Sequence, residues 1–69
     1  MRIKINGKTL RALRLQRGET QEELARRVGC ALRTISAIER GESGGAGLRR
    51  DLAAALGVEP ETISLAVQP

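Results

Sequence analysis

The chain has no phenylalanine, tyrosine or tryptophan, no histidine, one cysteine and two prolines in 69 residues. Each absence excludes something. Without aromatic rings there is no platform for unpaired bases, which closes the stacking modes that read single-stranded DNA or RNA. With no histidine and one cysteine, a zinc site lacks its ligands, and neither a metal nor a cofactor is expected. The same inventory removes the usual general base and any Ser/His/Asp set. The eight acidic residues fall mostly at helix ends or polar positions, where they cap and solubilise, so no catalysis is expected. A single cysteine forms no internal disulfide and fits a reducing compartment. Cys30 reads as a small core-type residue rather than a reactive thiol. No apolar run approaches the roughly 20 residues of a bilayer-crossing helix, and no signal-peptide pattern opens the chain. The expectation is a soluble cytoplasmic protein.

What is present fits one small domain over residues 1–69, with a modest core built from Leu, Ile, Val and Ala. The net charge of +4 suits a polyanionic partner as well as it suits a plain soluble surface.

The chain is organised around residues 20–41. Leu24, Ala25 and Val28 recur at helical spacing, and Leu32, Ile35 and Ile38 do so again. Gly29 lies between the two sets and stops the first helix, because glycine takes the left-handed conformation without a Cβ penalty. Thr20 and Glu23 form a capping box at its start. Two short helices joined by a glycine turn make a helix-turn-helix, and Gly41 stops the second one.

Around this unit, Ile3 and Ile5 alternate with polar residues, which predicts a short strand over 2–6. Asn6-Gly7 breaks it and Lys8 begins helix 1, with Leu10 and Leu13 inward, Arg17 in the last turn and Gly18 at the end. Residues 41–47 are a glycine-dense mobile loop. They lack the lysine and preceding strand of a phosphate cradle. Leu48, Leu52 and Leu56 give helix 4, closed by Gly57. Pro60 starts one further turn. The alternation of Ile63, Leu65 and Val67 then suggests a strand, which needs a partner. That partner is the segment 2–6 of the same chain, or the same strand across a dimer.

The residues Thr20-Gln21-Glu22-Glu23-Leu24-Ala25, Val28-Gly29, Thr34-Ile35-Ser36 and Ile38-Glu39-Arg40-Gly41 resemble the phage-repressor (Cro-like, XRE-type) helix-turn-helix DNA-binding family. With Leu10, Leu13 and Arg14 before them and Ala55-Leu56-Gly57-Val58 after, the resemblance covers residues 8–63. It implies a mostly all-α domain of four or five helices, here with the small two-stranded pairing of the termini. It also implies sequence-specific binding of double-stranded DNA by a small transcriptional regulator, a repressor acting as a homodimer in contact with the nucleoid. The rival reading is a protein-interaction module, an antitoxin or adaptor built on the same bundle.

By the same resemblance, helix 31–40 enters the major groove. Leu32, Arg33, Thr34 and Ala37 would face bases, and Gln21, Thr34, Arg40 and Ser43 would face phosphates. Of the base-facing set only Arg33 can make a bidentate contact, with guanine O6/N7 as its natural target. Arg14 and Glu39 would form an ion pair clamping helix 1 to helix 3. Arg26 and Arg27 read as a solvated face or a partner surface. Two positions depart from the family pattern. Glu19 stands where an apolar residue would staple onto Leu24. Ala31 stands where Ser or Thr would cap helix 3, at a cost of about 1 kcal/mol and with an irregular start expected for that helix.

Overall fold

The computed structural model describes residues 4–65. In chain order these are β1 (Lys4–Ile5), α1 (Gly7–Gln16), α2 (Gln21–Val28), α3 (Leu32–Glu39), α4 (Ala46–Leu56), a 3-10 turn (Pro60–Ile63) and β2 (Ser64–Leu65). The helices end where their sequence lets them. Gly29 and Gly57 close α2 and α4 in left-handed conformation, with φ of 83° and 71°.

Helix α1 begins one residue before the expected Lys8. Asn6 is its N-cap and accepts a hydrogen bond from the Thr9 amide at 3.1 Å. Gly7, its first residue, is buried against α3: a Cβ here would run into the Ile38 carbonyl oxygen and the Glu39 backbone. Glycine is therefore what lets the first turn of α1 rest on the last turn of α3. Helix α4 likewise starts at Ala46, ahead of Leu48, so Gly47 is helical and the glycine-rich loop is shorter than 41–47.

β1 and β2 pair antiparallel, with Lys4 opposite Leu65 and Ile5 opposite Ser64. The Asn6 amide extends the pairing by donating to the Ile63 carbonyl at 2.6 Å. The partner is thus the chain's own other end. One turn followed by a strand replaces a fifth α-helix. Residues 2–3 and 66–67, also expected as strand, lie outside the described residues.

The core is aliphatic throughout. Ile5, Leu10, Leu24, Ile35, Ile38, Leu52 and Ile63 are its largest fully buried side chains, and they come from β1, the four helices and the 3-10 turn. Leu13, Val28, Cys30 and Leu48 pack against it from partly exposed positions. Burial pushes the Cys30 thiol up, which keeps it protonated. No described helix is long and apolar enough to cross a membrane.

Candidate nucleic-acid interface

The helix-turn-helix is built by local rules. The Glu23 amide donates to Thr20 Oγ1 at 3.1 Å, and the Thr20 amide donates to Glu23 Oε1 at 2.8 Å, completing the capping box. Gly29, Cys30 and Ala31 make the turn. The Gly29 and Cys30 amides both donate to the Ala25 carbonyl, at 2.8 and 3.0 Å, which ties the turn to the end of α2. Ala31 provides no side-chain cap, yet α3 starts as a regular helix at Leu32. The irregular start expected from Ala31 is not found, because burial of Ile35 and Ile38 holds the helix in place regardless of its cap.

That burial decides which side of α3 faces out. Leu32 and Arg33 are exposed, and Thr34, Ser36 and Ala37 are half-buried. The only acidic residue on α3, Glu39, has its side chain 5% exposed and points inward. It meets Arg14 of α1: Arg14 Nε donates to Glu39 Oε2 at 2.7 Å and Nη2 to Oε1 at 3.1 Å. Gln21 Nε2 donates to the same Oε1 at 3.1 Å. Arg14 also donates through Nη1 to the Glu19 carbonyl at 2.6 Å. Burial alone would push the Glu39 carboxyl up, but the bonds from Arg14 and Gln21 outweigh it and hold it below its ordinary range. Its bond to Glu39 raises the Arg14 pKa above its usual value, against the opposing effect of burial.

Glu19 does more than lose a staple. Arg27 donates to it from Nε and Nη2 at 2.6 and 2.7 Å, and Arg17 from Nε at 3.3 Å. Arg27 Nη2 also donates to the Ala55 carbonyl at 2.8 Å, fastening α2 to the end of α4. Arg27 is therefore not merely a solvated charge. The bond from Arg27 holds the Glu19 carboxyl below its usual range, against the opposing effect of burial.

A concavity of about 370 Å³ opens between α3 and the loop that follows it. Arg33, Thr34, Ala37, Arg40 and Ser43 line it, so most of the residues expected at bases or phosphates share one surface. Leu32 stands outside the concavity at the start of α3, and Gln21 lies at the start of α2, where its amide is engaged by Glu39. Among the described residues Arg33 makes no hydrogen bond or ion pair, whereas Arg40 donates from Nη1 to Ser36 Oγ at 3.3 Å and from Nη2 to Glu42 Oε2 at 3.4 Å. Glu42 also lines the concavity, and sequence reasoning did not single it out. The available signal was a carboxylate two residues beyond Arg40.

A helix-turn-helix domain model matches residues 7–66. The restriction-modification controller protein C.AhdI from Aeromonas hydrophila is similar at 35% identity and a TM-score of 0.78, over 81% of this chain and 86% of that one. The chain belongs to the Cro-like helix-turn-helix family of DNA-binding proteins. Within that fold, the hypothetical transcription factor NHTF from Neisseria has a TM-score of 0.81 at 33% identity, covering 90% of this chain and 72% of its own. SinR, the master regulator for biofilm formation solved in complex with DNA, has a TM-score of 0.78 at 27% identity, covering 84% and 95%. No curated protein sequence matches the chain.

Proposed function

We propose that the protein is a small transcriptional regulator, a repressor that binds double-stranded DNA by sequence with α3 in the major groove. One observation carries the reading. α3 turns its isoleucines and its only carboxylate inward and leaves an outer side without acidic residues, beside a concavity lined by two arginines. Family membership and the DNA-bound structure of SinR support it.

In this reading Arg33, free of internal partners among the described residues, donates its fork to guanine O6 and N7. Leu32 and Ala37 meet thymine methyl groups, and Thr34 stands between base edge and backbone. Arg40, Thr34 and Ser43 take phosphates on one side of the groove. Gln21 takes a phosphate on the other, helped by the unpaired amides at the start of α2. The Gln21 amide nitrogen carries two hydrogens, so its bond to Glu39 leaves one for DNA. Two copies acting as a homodimer would present their α3 helices about 34 Å apart to a pseudo-palindrome. Its place of action would be the nucleoid of the cytoplasm.

The test compares R33A with R40A on a duplex selected from a random pool and on its scrambled version. R33A should cost about 1–3 kcal/mol on the selected duplex and little on the scrambled one. R40A should weaken both and reduce the salt slope by about 1. Equal weakening of both duplexes by R33A refutes its base-reading role. No binding of any duplex at low salt refutes the function itself.

A further inference from the structure

Among the described residues, the only acidic one on the wall of the α3 concavity is Glu42, and it sits on Arg40. The Arg40 guanidinium is folded back along α3, with Nη1 at 3.3 Å from Ser36 Oγ and Nη2 at 3.4 Å from Glu42 Oε2. The two charged side chains are 66% and 64% exposed. A pair that open is weak and easily exchanged. A DNA phosphate arriving at Arg40 must therefore either displace the carboxylate or lie beside it, two anions sharing one cation. Either course subtracts from the backbone attraction, and it does so on every sequence, because phosphates are the same on all duplexes.

We propose that Glu42 is an internal competitor for the DNA backbone: its carboxylate stands on Arg40 in place of a phosphate and sets a ceiling on sequence-independent affinity. The inference rests on the DNA reading above and goes beyond it. It assigns an acidic residue, not a basic one, the task of fixing at what salt and protein concentration the duplex is occupied.

The experiment measures binding to a random-sequence duplex across a salt series for the wild type, E42Q, E59Q, R40A and R40A/E42Q. Glu59 is exposed at the 3-10 turn, so E59Q makes the same change in net charge away from the concavity. E42Q should bind about 3-fold or more tightly at low salt, with the gain shrinking as salt rises and screens the competing carboxylate. E59Q should do neither, and the gain from E42Q should vanish in the R40A background. A selected duplex and its scrambled version should gain alike. The proposal is overturned if E42Q equals E59Q, if it weakens binding, if its gain survives without Arg40, or if only the selected duplex responds, which would mark Glu42 as a reader of cytosine. A wild-type chain that binds no duplex defeats the DNA reading as well, whereas a binding wild type with an unresponsive E42Q defeats this inference alone.

Discussion

Replacing Arg14 with alanine should unfold much of the population of this domain, and the structure says by how much. Arg14 is 6% exposed, and the side chain of its partner Glu39 is 5% exposed. It gives Glu39 two hydrogen bonds, at 2.7 and 3.1 Å, and the Glu19 carbonyl a third at 2.6 Å. R14A leaves the Glu39 carboxylate buried with Gln21 as its remaining side-chain donor. Breaking a buried pair from one side costs about 3–5 kcal/mol. A domain of 69 residues has about 3–10 kcal/mol in total, at roughly 0.05–0.15 kcal/mol per residue. R14A should therefore lower the melting temperature by more than about 12 °C, at roughly 4–8 °C per kcal/mol for a chain of this size. With no aromatic residue to report by fluorescence, the assay is urea and thermal unfolding followed by far-ultraviolet circular dichroism. The double replacement R14M/E39M removes both charges and fills the space, and it should recover most of the loss. A cost below about 1 kcal/mol for R14A, or a double variant no more stable than R14A, would refute the claim that burial makes this pair matter.

Two further outcomes are expected. A31S places a hydroxyl at the extended residue before α3, which now has no side-chain cap, and should raise stability by about 1 kcal/mol in the same unfolding assay; no gain would mean that the first amides of α3 are already satisfied. Acid should destabilise the fold through Glu39 and Glu19. Both carboxyls are held below their ordinary value of 4.5, so the folded state binds fewer protons than the unfolded chain. Their contribution is full above that value and drains away as pH falls through the folded values. The urea midpoint should fall on going from neutral pH to about pH 3, and less steeply in E39Q; a midpoint that holds or rises refutes the assignment.

What was legible in the sequence is what short-range rules determine. The Thr20–Glu23 capping box, the glycine stop at Gly29 and the inward spacing of Leu24, Ile35 and Ile38 depend on neighbours within one or two turns, and all appear in the structure. The terminal strand pair was legible for another reason: an isolated strand must find a partner, and the chain offers one. The misses are all matters of tertiary placement. Gly7 reads as a strand breaker until α1 is seen lying on the last turn of α3. Arg27 reads as part of a solvated face or a partner surface until α2 is seen beside the end of α4, with the Ala55 carbonyl within reach. Ala31 predicts a disturbed helix start on local grounds, and core packing two turns long overrides it. At the candidate site, resemblance named Arg33, Thr34, Ala37, Arg40 and Ser43, which share one concavity. Glu42 escaped because its position depends on how the loop turns back past Arg40.

Glu39 links the fold to the proposed interface. It is the last residue of α3, and its carboxylate accepts from Arg14 of α1 and from Gln21 at the start of α2. A leucine or methionine could fill the same volume, and in a core without aromatic rings added apolar volume would not be wasted. Volume alone, however, does not set direction: apolar contact is non-directional, whereas a hydrogen bond fixes the angle of both partners. With Glu39 in place, one Gln21 N–H is spent inside the molecule, and that fixes where the other points. The geometry between the start of α2 and the outer side of α3 then rests on a shared acceptor as well as on the packing of Leu24, Ile35 and Ile38. A polar pair thus makes sense at a site that must meet the fixed spacing of phosphates and bases, even where an apolar pair at positions 14 and 39 would serve stability equally well.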